Sequence, residues 1–113
     1  MKNKNKYKAL QKIQKRDGQI VPFDEKHIFR AIWKAMDISK EGGEAEADLV
    51  MYKVLDALLV LKKEKNEKVF VPTVEKIQDV VENELIASNF IQTGKAYILY
   101  RKNRAQVREQ VGF

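Results

Sequence analysis

The residues best suited to binding chemistry form a short basic stretch, Lys15-Arg16-Asp17-Gly18. Lysine brings a compact point charge, and arginine brings a planar fork of N–H donors that can grip two oxygen atoms. Two adjacent cations beside a tight Asp-Gly turn suit the phosphates of a triphosphate ligand. The alternative is a hairpin tip whose charges face water, and the stretch by itself leaves both interpretations open.

The chain contains none of the common arrangements for catalysis. A Gly-rich loop ending in Lys-Ser or Lys-Thr is missing, which excludes a P-loop. His27 is the single histidine and has no neighbouring nucleophile, and Gly42-Gly43 lies among acids, whose charge is wrong for cradling phosphates. Because the chain has no cysteine, thiolate zinc sites, thiol nucleophiles and thiyl radicals are excluded as well. We therefore expect a binding domain rather than an enzyme, without a metal site built by the protein.

The formal net charge of +6 is concentrated at the start of the chain. Residues 1–16 carry seven basic side chains and no acidic one, whereas residues 17–113 have a net charge of −1. The first residues alternate Lys with Asn and show no apolar periodicity. We therefore predict a basic flexible tail over residues 1–11, usually solvated and occasionally a contact for polyanions, and one folded domain over residues 12–110.

The basic stretch lies between two short segments that are typical of strands. Residues 12–16 and 19–23 flank Asp17-Gly18, and this pair predicts a two-residue type I′ turn because both residues tolerate positive φ. Pro22 cannot donate to a ladder, so the second strand should end there or form an edge. Residues 69–71 favour a short third strand.

Apolar periodicity predicts four helices after the hairpin. Asp24 is a good N-cap for the first helix, Gly42-Gly43 marks the loop after it, residues 62–68 form a charged turn, and Pro72 suits the first turn of the third helix. The predicted helices cover residues 24–37, 46–63, 72–87 and the segment from residue 89. The expected fold is therefore α+β, with a short β-hairpin or three-stranded sheet capping a four-helix bundle.

Length and composition indicate one globular domain with one modest core. The longest purely apolar run covers residues 57–61, far too short to span a bilayer. The first residues also lack the apolar stretch of a signal peptide. The expected location is the cytoplasm, with no membrane partner.

Three linked stretches resemble the ATP-cone domain, the N-terminal regulatory domain of anaerobic (class III) or cobalamin-dependent ribonucleotide reductases. The first is residues 13–28, with Lys-Arg-Asp-Gly followed by Val-Pro-Phe. The second is residues 74–85, ending in Val-Glu-Asn-Glu-Leu, and the third is residues 95–104, opening with Lys-Ala-Tyr-Ile-Leu-Tyr-Arg. The resemblance covers about residues 12–108, and three motifs in the right order are more specific than any one alone.

The resemblance implies a site for ATP or dATP between sheet and helices, with Mg²⁺ on the phosphates. Lys15, Arg16 and Lys102 would contact phosphate oxygens. His27 has a competing interpretation as a partly exposed surface residue, and Arg101 could anchor the fourth helix to a carboxylate instead of touching phosphate. The implied nucleotide-binding residues are Ile13, Lys15, Arg16, His27, Ile28, Val71, Glu75, Leu99 and Lys102.

The same resemblance implies allosteric regulation of a ribonucleotide reductase. ATP would favour the active assembly and dATP an inactive oligomer, so the partners would be a reductase catalytic domain or subunit and further copies of the chain. One alternative is the cone of a nucleotide-sensing transcriptional repressor, although the lack of cysteine argues against the zinc ribbon that accompanies it. Another is a small basic nucleic-acid-binding helical domain, which the near-neutral body disfavours.

Overall fold

The computed structural model describes residues 4–66 and 69–110, so residues 1–3 of the predicted tail and residues 67–68 of the predicted charged turn lie outside it. The described chain forms an antiparallel hairpin followed by four helices. The predicted α+β fold is therefore confirmed, in its two-stranded form. The strands are β1 (Lys12–Gln14) and β2 (Ile20–Pro22), and the helices are α1 (Glu25–Ser39), α2 (Glu44–Lys65), α3 (Val74–Ala87) and α4 (Ile91–Gln110).

The hairpin turn has three residues rather than two. The Lys15 N–H donates to the Gln19 carbonyl at 2.8 Å, and the Gly18 N–H donates to the Lys15 carbonyl at 2.9 Å. Within the loop of residues 16–18, positive φ occurs at Gly18 (φ 88°) and not at Asp17. The predicted type I′ turn needs positive φ at both central residues and is therefore wrong. Asp17 instead stabilises the loop through its carboxylate, which accepts from the Gln19 N–H at 2.9 Å.

The predicted third strand over residues 69–71 does not form. The chain touches the sheet at one parallel bridge between Gln14 and Thr73, where the Gln14 N–H donates to the Pro72 carbonyl at 2.9 Å. Thr73 then caps α3, since its hydroxyl accepts from the Lys76 N–H at 3.1 Å. Pro72 thus precedes the cap and is not in the first helical turn. The chain turns into α3 directly after the bridge, which prevents a longer ladder.

The four helices close into a ring around one core. Helix α1 packs against α2 and α4, and α3 packs against the same two helices. The predicted apolar stripes of α1, α2 and α3 point inward, with Ala31, Leu61 and Val74 half-buried at the rim. On α4, Tyr97 is buried, whereas Tyr100 is exposed. In the described part of the chain, no helix is both long and apolar enough to cross a membrane. The large side chains that are completely buried are Ile32, Met36, Val50, Val54, Leu58, Val81, Leu85 and Thr93.

Helix ends follow local capping chemistry. The predicted N-cap Asp24 is confirmed, because its carboxylate accepts from the Lys26 N–H at 3.0 Å. Helices α1 and α2 end at Lys40 (φ 57°) and Asn66 (φ 52°), both in the left-handed region that commonly stops helices. The observed helices α1 and α2 consequently run two residues further than predicted at their C-terminal ends.

The start of α4 is capped by a residue from the loop between α1 and α2. The Glu41 carboxylate accepts from the N–H groups of Gln92 (3.1 Å) and Thr93 (2.7 Å) and from the Thr93 hydroxyl (2.7 Å). The Ser39 hydroxyl lies 2.9 Å from the Thr93 hydroxyl, and it donates to the Met36 carbonyl at 3.3 Å. The Thr93 N–H lowers the pKa of Glu41, and its hydroxyl and the Gln92 N–H add to this, against the opposing effect of desolvation.

Replacing Glu41 with Gln should lower the melting temperature at neutral pH, because a neutral amide accepts from the helix N-terminus less strongly. Since folding lowers the pKa of Glu41, its contribution is full above the unfolded-state pKa. It is lost as the pH falls through the folded-state pKa. Thermal melts of both proteins at neutral and acidic pH should therefore converge in acid. Glu84→Gln removes a carboxylate without a described partner and should leave the melting temperature nearly unchanged; a similar loss there would contradict the cap.

Part of the predicted tail packs on the bundle. Lys4–Tyr7 forms a 3₁₀ turn, and Leu10 is buried. The Tyr7 hydroxyl donates to Asp56 at 2.8 Å, and Lys6 pairs with the same carboxylate at 2.9 Å. Burial, together with the hydrogen bond and charge of Asp56, raises the pKa of Tyr7 to about 12. Residues 4–10 thus differ from a fully solvated tail, because the spaced side chains of Tyr7 and Leu10 anchor them to the bundle. The predicted boundary between tail and domain, after residue 11, stays a prediction.

Candidate functional site

The hairpin tip is held over the first two turns of α3. Arg16 Nη1 lies 3.0 Å from Glu75 Oε1, and Arg16 Nη2 donates to Gln78 Oε1 at 3.2 Å. Residues three apart on a helix share one face, so Glu75 and Gln78 together hold both ends of the guanidinium. The bridge from Gln14 to Thr73 brings the end of β1 to the same place. The structure therefore unites two predicted site residues, Arg16 and Glu75.

Lys15 lies beside this pair and extends the positive charge of the tip. Its side chain is exposed and has no partner among the described residues. Its backbone is fixed by the turn, because its N–H and carbonyl both take part in the hairpin hydrogen bonds. The tip thus presents one free cation next to one that α3 already holds. The N–H donors of Lys15 and Arg16 suit phosphate oxygens. Glu75 is negatively charged, as phosphate is, and would therefore repel it.

The predicted apolar site residues lie at different depths. Ile13 is half-buried and packs against the core, and Val71 is half-buried just before Pro72, whose carbonyl bonds to Gln14. This places Val71 close to the end of β1. Ile28 is 8% exposed and belongs to the core of α1. Ile13 and Val71 can therefore border a ligand at the sheet. The same ligand could contact Ile28 only if it displaced side chains of the core.

Three predicted residues are not joined to the tip. His27 is exposed in the first turn of α1, with Nε2 3.9 Å from the Asp24 carboxylate. Pro22 pairs with Lys12, so α1 starts at the base of the hairpin, at the end opposite the tip. Leu99 and Lys102 lie exposed on α4, and no described hydrogen bond or ion pair connects them with the hairpin.

Arg101 anchors α4 to α3. Its Nη1 donates to Asp79 at 3.0 Å and to Glu82 at 2.6 Å, and its side chain is 20% exposed. Burial lowers the pKa of Arg101, but the hydrogen bonds to Glu82 and Asp79 outweigh this effect and raise it overall. The alternative that Arg101 serves as an anchor rather than a phosphate ligand is thus favoured. Tyr97 beside it is a core aromatic, and burial raises the pKa of its hydroxyl.

Sequence reasoning did not assign Gln78, Asp79 and Glu82 to any contact. With Glu75 they fall at positions i, i+3, i+4 and i+7 of α3, the spacing of one helix face. That spacing was the available signal, but a polar face is usually solvated, and its two arginine partners come from distant segments. Helix α3 therefore carries a polar stripe, Glu75-Gln78-Asp79-Glu82, that holds Arg16 at one end and Arg101 at the other.

Two further features lie outside the hairpin tip. Within residues 4–66 and 69–110, no group of three or more His, Cys, Asp or Glu side chains is placed to hold a metal ion. A cavity of about 130 Å³ lies where the N-terminal segment meets α1 and α2, and it includes none of the predicted site residues. Its lining residues are Tyr7, Lys8, Leu10, Phe23, Glu25, Tyr52 and Leu55.

The described residues thus form a hairpin with a basic tip, and this tip is held against a closed ring of four helices. The family model described as the ATP cone domain matches residues 11–106. This chain therefore belongs to the ATP-cone domain family.

Three curated relatives are ribonucleotide reductases. Over 106 residues the chain is 40% identical to the vitamin B12-dependent ribonucleoside-diphosphate reductase of Thermoplasma acidophilum, a match that covers 89% of this chain and 13% of that protein. It is 34% identical over 100 residues to the anaerobic ribonucleoside-triphosphate reductase of Salmonella typhimurium, covering 88% and 13%. The Chlamydia pneumoniae ribonucleoside-diphosphate reductase subunit alpha is 33% identical over 106 residues, covering 85% and 10%. The chain thus spans about an eighth or less of these proteins.

Proposed function

We propose that this domain binds ATP or dATP at the hairpin tip and regulates a ribonucleotide reductase. The observation that carries the proposal is the pair of adjacent cations, Lys15 free and Arg16 held over α3, in a chain of the ATP-cone family. Lysine would neutralise phosphate charge as a point charge, and the arginine fork would grip two oxygens. Ile13 and Val71 border the same region and supply apolar surface.

The assigned residues on the helices are part of the same proposal, with Glu75 lying at the site as the partner of Arg16. Lys102 would add a phosphate contact from α4, and Leu99, Ile28 and His27 would line the nucleotide from the helices. Because no described hydrogen bond or ion pair joins these residues to the tip, the nucleotide would have to reach from the hairpin toward the bundle. Mg²⁺ would be carried on the phosphates themselves, whose oxygens are the ligands that this ion prefers.

Binding of an adenine nucleotide should stabilise the fold, because the Lys15–Arg16 site exists in the native state alone. At a ligand concentration about 100 times the dissociation constant, linkage gives about 2.7 kcal/mol. For a domain of this size that corresponds to a rise of roughly 10 °C in melting temperature. Thermal melts and calorimetry with ATP, dATP, GTP and CTP in Mg²⁺ test this. A melting temperature moved by none of them would refute the proposal.

Regulation requires that ATP and dATP stabilise different states of an assembly. The two nucleotides differ by one 2′-hydroxyl, and the usual coupling of about 1–3 kcal/mol could come from a few hydrogen bonds to it or from an altered nucleotide pose. We propose that the responding surface is the outer face of α1 and α2. Apolar side chains are exposed there at Trp33, Ile38, Leu49 and Val60.

Accordingly, ATP and dATP should give different oligomer distributions when the domain is joined to its reductase catalytic partner. Light scattering of that assembly measures the masses, and a reductase assay reports the accompanying activity. Trp33→Ser removes the largest exposed apolar side chain and should shift the dATP distribution toward smaller species. Identical masses and activities with both nucleotides would leave a binding domain without a switch.

A further inference from the structure

Glu75 is the carboxylate that pairs with the hairpin tip in the described part of the chain. Its Oε1 lies 3.0 Å from Arg16 Nη1, and the two side chains are 40% and 37% exposed. Gln78 accepts from the other terminal nitrogen of the same guanidinium. Both ends of the fork are therefore engaged by α3, one of them by a negative charge.

A phosphate group could bind the same N–H donors of Arg16 that the Glu75 carboxylate binds. Both are anions with several acceptor oxygens, and both suit the paired N–H groups of a guanidinium. A phosphate that takes Nη1 must displace the carboxylate or share the donor with it. Two anions at one fork repel each other, so binding would cost more in the presence of Glu75 than without it.

The exposure of the pair makes the exchange feasible. Exposed ion pairs contribute little to stability, because water screens them and both side chains lose freedom. Arg101, with two carboxylate partners on the same helix and a side chain only 20% exposed, is held more firmly. Arg16 can therefore change partner at small cost, whereas Arg101 remains an anchor.

We propose that Glu75 is an internal competitor for nucleotide phosphate at Arg16 and so lowers the affinity of the site, an inference that rests on the proposed nucleotide binding. Gln78 has a separate role as a positioning residue. Its neutral amide holds the guanidinium over α3 without repelling phosphate. The affinity of this cone is thus set by a residue that opposes the ligand as well as by those that bind it.

Calorimetry with Mg-ATP on the parent chain and five variants tests this proposal. Glu75→Gln should bind ATP about two to five times more tightly, the worth of an exposed ion pair. Asp79→Asn, with the same charge change one turn along the same face, should bind like the parent. When Arg16 is already replaced with Gln, adding Glu75→Gln should raise the ATP affinity by less than half of the increase that it gives when Arg16 is present. Gln78→Glu, which places a second carboxylate at the fork, should weaken binding.

Each outcome has a distinct meaning. Equal gains in Glu75→Gln and Asp79→Asn would show a general charge effect and overturn the proposal. A full gain in ATP affinity from Glu75→Gln in the absence of Arg16 would also overturn it, and so would unchanged or tighter binding by Gln78→Glu. Weaker binding by Glu75→Gln would overturn it as well, because that result is expected of a carboxylate that ligates Mg²⁺. If the parent chain bound no nucleotide, the proposed function itself would fail. Binding by the parent without a gain in Glu75→Gln would overturn this inference alone.

Discussion

Replacing Lys15 and Arg16 together with Ala is expected to weaken ATP binding about a hundredfold or more while leaving the domain folded. Hydrogen bonds to charged groups contribute about 1.5–3 kcal/mol each, and about 1.4 kcal/mol corresponds to a tenfold change in the dissociation constant. The cost in stability should stay small. Lys15 has no described partner, and the exposed pair between Arg16 and Glu75 is worth at most about 1 kcal/mol.

Calorimetry with Mg-ATP measures the affinity, and a thermal melt without nucleotide shows whether the fold persists. A matched control is Lys34→Ala with Lys95→Ala, which removes two positive charges from exposed side chains on α1 and α4. This control should bind nearly as the parent does. If the Lys15 and Arg16 variant retained parental affinity, or if the control lost as much, the phosphate assignment would be wrong.

Replacing Leu85 with Ala should destabilise the fold by about 2–5 kcal/mol. Leu85 is completely buried in α3, close to Gly94 of α4. Truncation removes apolar contacts and leaves a cavity that a packed bundle fills incompletely. The loss would be a large share of a typical stability of about 5–15 kcal/mol.

Urea unfolding of the parent and variant gives the difference in the free energy of unfolding. Leu49→Ala is the matched control, with the same chemical change at a side chain that is 48% exposed on α2. It should cost less than about 1 kcal/mol, since little area leaves water there on folding. Similar losses at the two positions would contradict the assignment of Leu85 to the core and Leu49 to the surface.

The sequence by itself was sufficient for the elements whose causes are local. Helical periodicity marked all four helices, and Asp24 was recognised as an N-cap because capping acts over three residues. The three ordered motifs were sufficient for the family, which the match over residues 11–106 confirms. The turn at Gly18 shows where local reasoning stops, because Asp-Gly fits both a type I′ turn and the observed three-residue loop.

Tertiary structure alone decided which distant side chains meet. The pairing of Arg16 with Gln78 joins residues 62 positions apart, Glu41 caps a helix that begins about 50 residues later, and Tyr7 reaches Asp56 across 49 positions. Propensity and periodicity act over a few residues, so they identify a polar face on α3 without naming its partner. That partner depends on how the hairpin lies over the closed ring of helices, and hence the contact between Arg16 and Glu75 is decided by packing alone.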